Sequence, residues 1–233
     1  MALDAISGTA RSLSFYQRMQ EVTANNLANA GSDGFKALRL TARTAPDEPH
    51  AVPVERIDLS QGDLRETKRP LDLALDGPGF FVVSTDHGER LTRGGSFRLD
   101  AAGRLTDLHG DPLLGREGPI AFAGAEAEIL ADGTVVLDGK AVDRLRIEQV
   151  NDPDDPAALL KEGAGRFVPQ LTTNPIPAGT ANVRQGWLEQ TNFDPLQSMV
   201  DLITIQRAYA ANVDALKAMD SVLGTVVGDI AKV

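Results

Sequence analysis

Between Leu202 and Ile230, apolar residues recur at alternating three- and four-residue intervals: Leu202, Ile205, Tyr209, Leu216, Met219, Leu223, Val226 and Ile230, with Asn212 as the polar member of the series. That spacing predicts a long helix carrying a coiled-coil seam. At the other end of the chain the same spacing selects Leu3, Ile6, Ala10, Leu13, Gln17, Gln20, Ala24 and Leu27, a weaker stripe interrupted by glutamines. Neither stripe can bury itself on an isolated helix. The two termini are therefore expected to pack on each other and on the termini of neighbouring molecules, which points to assembly rather than catalysis.

The pattern changes between these ends. The first helix runs to about Asn29 and meets Gly31 and Gly34, which can take the left-handed conformation that ends a helix. Phe35 is expected to pack at that turn. Residues 36–70 hold Pro46, Pro49, Pro53 and Pro70 with little periodicity and read as an extended connector with short strands. From Leu71 the chain shows short apolar runs broken by turn residues: LDLAL, the turn at Gly77-Pro78-Gly79, FFVVS, then Asp86-His87-Gly88. The rhythm resumes as TVVL and RLRIEQV around Asp132-Gly133 and Asp138-Gly139, pairs that favour type I′ hairpin turns. A second helix is expected to begin at Asp194 or Pro195, with Asp194 as N-cap, Pro195 at the first helical position and Gln197 reaching back to complete a capping box. The fold class that results is α+β: N- and C-terminal helices forming a coiled-coil domain that brackets a mainly antiparallel β central domain. The expected boundaries are 1–35 and 188–233 for a discontinuous helical domain, 36–70 for the connector, and 71–187 for the β-rich body with an irregular return segment.

Composition narrows the chemistry. A formal net charge of -10 argues against nucleic acid and against an acidic membrane surface. The chain has no cysteine, which removes disulfides, thiolate nucleophiles and cysteine-ligated metal sites. His50, His87 and His109 fall in turns or connectors without ligand spacing. Gly77-Pro78-Gly79 precedes a strand rather than a helix, so it is a structural turn and not a phosphate loop. NDPDDP at 151–156 lacks the spacing, glycine and distal glutamate of a calcium loop and reads as a solvated acidic turn. No catalytic, cofactor-binding or metal residue is expected, and no cofactor. The start, MALDAISGTARS, has no basic region followed by an apolar run, and no segment approaches the roughly 20 apolar residues of a membrane span. Neither a cleavable secretory signal nor membrane insertion is expected.

The segment ANNLANAGSDGFK at 24–36 resembles the N-terminal signature of the flagellar rod and hook axial proteins. Residues 62–83, GDLRETKRPLDLALDGPGFFVV, and 92–115, TRGGSFRLDAAGRLTDLHGDPLLG, are similar to that family's central β region. GWLEQTNFDPLQSMVDLITIQRAYAANVDALKAMDSVL at 186–223 is similar to its closing helix. Two departures are visible: Ser32 and Asp33 stand where a Ser/Thr pair is usual, and Thr191-Asn192-Phe193-Asp194 replaces the usual Ser-Asn-Val-Asp. The chain is short for a hook protein and fits a rod component. Its length leans to the proximal-rod member and its closing helix to the distal-rod member, with the proximal rod slightly favoured.

The resemblance implies a tube subunit that polymerises into the hollow axial shaft. It implies rod and hook proteins as partners, export through the flagellar type III apparatus without a cleaved signal, and a place in the periplasmic rod of the basal body. It also implies subunit-interface roles for Leu3, Ile6, Leu13, Asn25, Asn26, Leu27 and Asn29 at one end. At the other end the same role falls to Leu202, Ile205, Gln206, Arg207, Tyr209, Asn212, Leu216, Met219 and Leu223. Gly34, Phe35, Gly77 and Gly79 are expected to shape turns. The alternative from another class is a soluble adaptor or export chaperone that holds a partner with its terminal helices.

Overall fold

The computed structural model describes residues 2–43, 52–122, 127–153, 155–177 and 179–230. It divides into two compact units. One comprises Met1–Ala28, Leu38–Arg56 and Asp194–Val233, and the other Asn29–Ala37 and Ile57–Phe193.

The first unit contains helix α1 (Ala2–Ala28), helix α2 (Pro195–Ile230) and a ribbon of the strands Leu38–Arg43 and Val52–Ile57, the last residue of which belongs to the second unit. The start of α2 is fixed by Asp194, whose Oδ1 accepts hydrogen bonds from Leu196 N at 2.8 Å and Gln197 N at 3.4 Å. The expected capping box is not completed. Gln197 Nε2 donates forward to Asp201 at 2.8 Å, because an i,i+4 side-chain partner is within reach along the helix.

The terminal coiled coil expected from the sequence is corrected by the structure, in which the described residues hold two helices, one towards each end of the sequence, and mostly β structure between them in chain order. α1 and α2 do pack against each other. However, among the described side chains of the two helices only Val22, Asn26 and Ile205 are buried. On α1 Leu13, Gln20 and Leu27 of the expected stripe are half-buried, as are Ser12, Phe15, Tyr16 and Met19 outside it; Val22 and Asn26 are buried, and Ala10, Gln17 and Ala24 of the stripe lie exposed. The physical reason is composition: Ala10, Gln17 and Ala24 bring too little apolar area to hold a heptad seam, so the covered surface extends to the bulkier neighbours Phe15, Tyr16, Met19 and Val22.

The second unit is built from short antiparallel strands. Its largest sheet has the order Leu159–Gly163, Arg166–Pro169, Gly88–Thr92, Phe80–Thr85, Ile147–Val150, Thr173–Pro175. The run FFVV lies near the middle of that sheet, and the alternation of a strand sends its residues to opposite faces. Phe81 and Val83 enter a core with Leu73, Leu75, Leu105 and Val135. Phe80 and Val82 enter a second core with Leu91, Val150 and Phe167. A strand covered on both faces needs an unbroken apolar run, which is why this segment does not alternate.

Thr134–Leu137 and Lys140–Arg144 form a hairpin closed by Asp138-Gly139, both with positive φ (48° and 76°), as a type I′ turn requires. Asp132-Gly133 does not repeat this. Gly133 alone takes positive φ there, and the Asp132 carboxylate accepts hydrogen bonds from the backbone N–H and hydroxyl of Thr134 at 3.0 and 2.9 Å. Those bonds hold the Asp132 carboxyl below the usual carboxylate range.

Candidate functional site

In the β-rich unit, three charged side chains meet in the interior. Lys36, Arg93 and Glu189 are 1%, 4% and 1% exposed. Glu189 Oε1 accepts from Lys36 Nζ at 2.6 Å and from Gly62 N at 2.9 Å, and its Oε2 accepts from Arg93 Nη1 at 3.0 Å. Each cation has a second partner. Lys36 Nζ donates to the Ser60 carbonyl at 2.6 Å, and Arg93 Nη2 to the Gly77 carbonyl at 2.6 Å. Burial pulls the Lys36 amine below its ordinary value, with Glu189 opposing, and pulls Arg93 down in the same way. Four separate segments, around residues 36, 62, 93 and 189, thus converge on one carboxylate. A buried ion cluster of this kind contributes more to uniqueness of arrangement than to net stability, because desolvation opposes the Coulomb gain.

Glycine makes the close approaches possible. Gly34 has φ +68°, its N–H donates to the Glu189 carbonyl at 2.6 Å, and a Cβ there would overlap the backbone carbonyl of Arg93. Asn192 holds the same region from the other side. Its Oδ1 accepts from Ala37 N at 2.8 Å and its Nδ2 donates to the Asp58 carbonyl at 2.7 Å. Phe35 is 4% exposed and meets Phe193 edge to face at 6.1 Å. Lys161 Nζ lies 3.6 Å from the Phe35 ring centroid. Among the described residues that amine has no hydrogen-bond partner, and burial pushes it down to about 8. Gly77 and Gly79 take φ of +123° and +103°, and Gly77 N donates to Gln61 Oε1 at 3.0 Å.

The family model described as flagellar basal body rod FlgEFG protein C-terminal matches residues 184–228, and the one described as flagellar hook protein FlgE/F/G D1 domain matches residues 74–140. The flagellar basal-body rod protein FlgF of Caulobacter vibrioides is 32% identical over 227 residues, covering 88% of this chain and 87% of the relative. FlgF of Escherichia coli is 33% identical over 229 residues, covering 88% and 89%. The chain belongs to the flagellar basal-body rod protein family. FlgG of Bacillus subtilis is also similar to this rod-family chain, at 27% identity over 246 residues, 91% of this chain and 93% of the relative.

The side chains expected at subunit interfaces of the rod-family chain are distributed as follows. Leu13 and Leu27 are half-buried on α1. Asn26 is 8% exposed and its amide is spent within the chain: Nδ2 donates to the Leu38 carbonyl at 2.8 Å and Oδ1 accepts from Leu38 N at 2.9 Å. Asn25 is exposed and Asn29 half-buried. On α2, Ile205 is buried, Leu202, Tyr209, Asn212 and Leu216 are half-buried, and Gln206, Arg207 and Met219 are exposed. Asn212 Nδ2 donates to the Ala208 carbonyl of its own helix at 2.8 Å. The side chains of Leu3, Ile6 and Leu223 lie outside the described residues, as does His50. Among the described residues, no three His, Cys, Asp or Glu side chains gather as a metal site, and no helix is long and apolar enough to cross a membrane.

Sequence reasoning did not single out Lys36, Arg93, Glu189, Asn192 or Lys161. The available signal was charge placed inside the quoted segments: Lys36 closing GFK, Arg93 in TRGGS, and Glu189 in GWLEQTN. Nothing local says that these charges turn inward, since charged side chains are mostly exposed unless paired.

Proposed function

We propose that this chain is a structural subunit of the bacterial flagellar basal-body rod, polymerising through its terminal helices into the hollow axial shaft. The observation that carries this reading is an uncovered apolar face at the start of α2. Leu196, Met199, Val200 and Ile203 are 73%, 46%, 57% and 52% exposed within two helical turns. A contiguous patch of large apolar side chains on a surface marks an interaction site. Its partners are copies of the same chain and other axial proteins of rod and hook. The chain reaches the periplasmic rod through the flagellar type III export apparatus without a cleaved signal, and it acts without catalysis. The proximal rod is favoured by the identity to the two FlgF relatives.

The test is the full-length double variant Met199→Asp with Ile203→Asp in a strain lacking the chain. The wild-type chain is expected to restore swimming and to appear in isolated basal bodies. The variant is expected to keep the unfolding transition of the β-rich unit yet fail both. A variant that assembles and swims like wild type would overturn the proposal. Cross-links from α2 to a separate FlgG chain in isolated basal bodies would support the proximal position; this chain standing in place of FlgG would assign it to the distal rod.

A further inference from the structure

The β-rich unit holds a cavity of about 390 Å³ at the entry to the strand Ile147–Val150. Leu145, Ile147, Pro175 and Ile176 give it apolar walls, Arg116 and Arg144 supply positive charge, and Asp132 adds one carboxylate beside Arg144. A third arginine in the wall, Arg146, is already neutralised: it donates to both Glu89 carboxylate oxygens at 2.7 and 2.8 Å and also pairs with Glu148. Arg144 is not spent in this way. Its Nε donates to the Asp132 carbonyl at 2.9 Å, and among the described residues neither Arg144 nor the exposed Arg116 forms an ion pair. Two arginines without ion pairs outweigh the single Asp132 carboxylate, and beside apolar walls they suit a peptide turn that combines carboxylates with proline.

Such a turn stands at the other end of the same strand. After Val150 the chain continues as Asn151-Asp152-Pro153, and Asp155-Pro156 follow. The turn is preformed: Asp155 N donates to the Asp152 carbonyl at 3.2 Å, Ala158 N to the Asp155 carbonyl at 3.0 Å, and Ala157 N to Asp155 Oδ1 at 2.9 Å. Asp152 is exposed and, among the described residues, forms no ion pair. The strand Ile147–Val150 separates knob from cavity by roughly 10 Å of rigid, hydrogen-bonded backbone, so the two cannot close on each other within one molecule. Complementary surfaces at opposite ends of one element allow a head-to-tail contact between copies, and a contact of that type builds a ring or an open helical stack.

We propose that the acidic turn at Asp152 and Asp155 of one copy seats in the Arg116–Arg144 cavity of the next copy. The contact deepens the rod-subunit reading and rests on it. It adds, between β-rich units, a charge-steered register that an apolar helix face does not provide.

Charge exchange in the full-length chain tests it. Arg116→Asp with Arg144→Asp reverses the cavity, and Asp152→Arg with Asp155→Arg reverses the turn. Association is followed by sedimentation velocity at 0.05 and 0.5 M salt, with thermal unfolding as a check on folding. Each double variant alone is expected to associate at least about tenfold more weakly than wild type at low salt, and an equimolar mixture of the two is expected to recover association. Because the chain has no cysteine, copies carrying Arg116→Cys mixed with copies carrying Asp152→Cys should also form a disulfide-linked pair. Variants that associate like wild type, or folded variants whose mixture recovers nothing and whose cysteine copies do not cross-link, would overturn this contact alone. A wild-type chain that never self-associates would overturn the self-polymerising reading and this contact with it.

Discussion

Replacing Lys161 by methionine is expected to stabilise the β-rich unit, although it removes a cation from the face of an aromatic ring. Among the described residues the Lys161 amine has no hydrogen-bond partner, and it sits 3.6 Å from the centroid of Phe35. Burial lowers it from its ordinary 10.5 to about 8. A drop of that size corresponds to roughly 3 kcal/mol of preference for the neutral amine. The Phe35 face returns about 0.5–2 kcal/mol to the cation. Desolvation therefore outweighs the ring contact, and methionine, similar in length and favourable against aromatic rings, should gain about 1–2 kcal/mol at pH 7. The sign with pH follows from the lowered value in the folded state. Below pH 8 both states are protonated and the folded state carries the whole penalty. Between about 8 and 10.5 the unfolded chain binds more protons, so wild-type stability rises with pH. Above that range the penalty is gone. Urea unfolding of the full-length chain, followed by fluorescence of its single tryptophan, Trp187, reads the β-rich unit directly. The difference between variant and wild type should be largest at or below pH 7 and vanish as pH approaches 10.5. Since Lys36 is also lowered, only that difference isolates Lys161. A variant less stable than wild type at pH 7, or a difference that does not change with pH, would show that burial does not penalise the Lys161 cation.

Glu189→Gln leaves two buried cations, Lys36 and Arg93, without their carboxylate and should destabilise the same unit by about 3–5 kcal/mol in urea titration; a loss under about 1 kcal/mol would mean the cluster is hydrated or loosely packed. Gly34→Ala should lower stability by about 1–2 kcal/mol or more, because the position needs positive φ and its new Cβ would meet the Arg93 carbonyl; an unchanged thermal midpoint would show that the turn can relax. Asn26→Leu removes both amide contacts to the Leu38 backbone, so amide exchange at Leu38 should accelerate by about tenfold or more while that of Phe81 stays unchanged. Equal rates at Leu38 in both proteins would place its protection elsewhere.

Much of the fold is local in origin and is therefore carried by the sequence. The three-four spacing from Leu202 onward requires a helix whatever surrounds it, and Asp194 with Pro195 marks where that helix starts. The unbroken FFVV run could not alternate and so belonged to a strand covered on both faces, while Asp138-Gly139 carried a two-residue turn in its backbone preferences. Tertiary structure decided what depends on neighbours distant in the chain. Gln197 had two possible partners, and the one along the helix prevailed. The covered face of α1 was set by which residues offered enough area: Val22 and Asn26 are buried, while Leu13, Gln20 and Leu27 of the heptad frame are only half-buried. The Lys36, Arg93 and Glu189 cluster joins residues 153 positions apart. In a linear reading each is an ordinary charged residue, and only folding, by removing water from all three together, makes them partners.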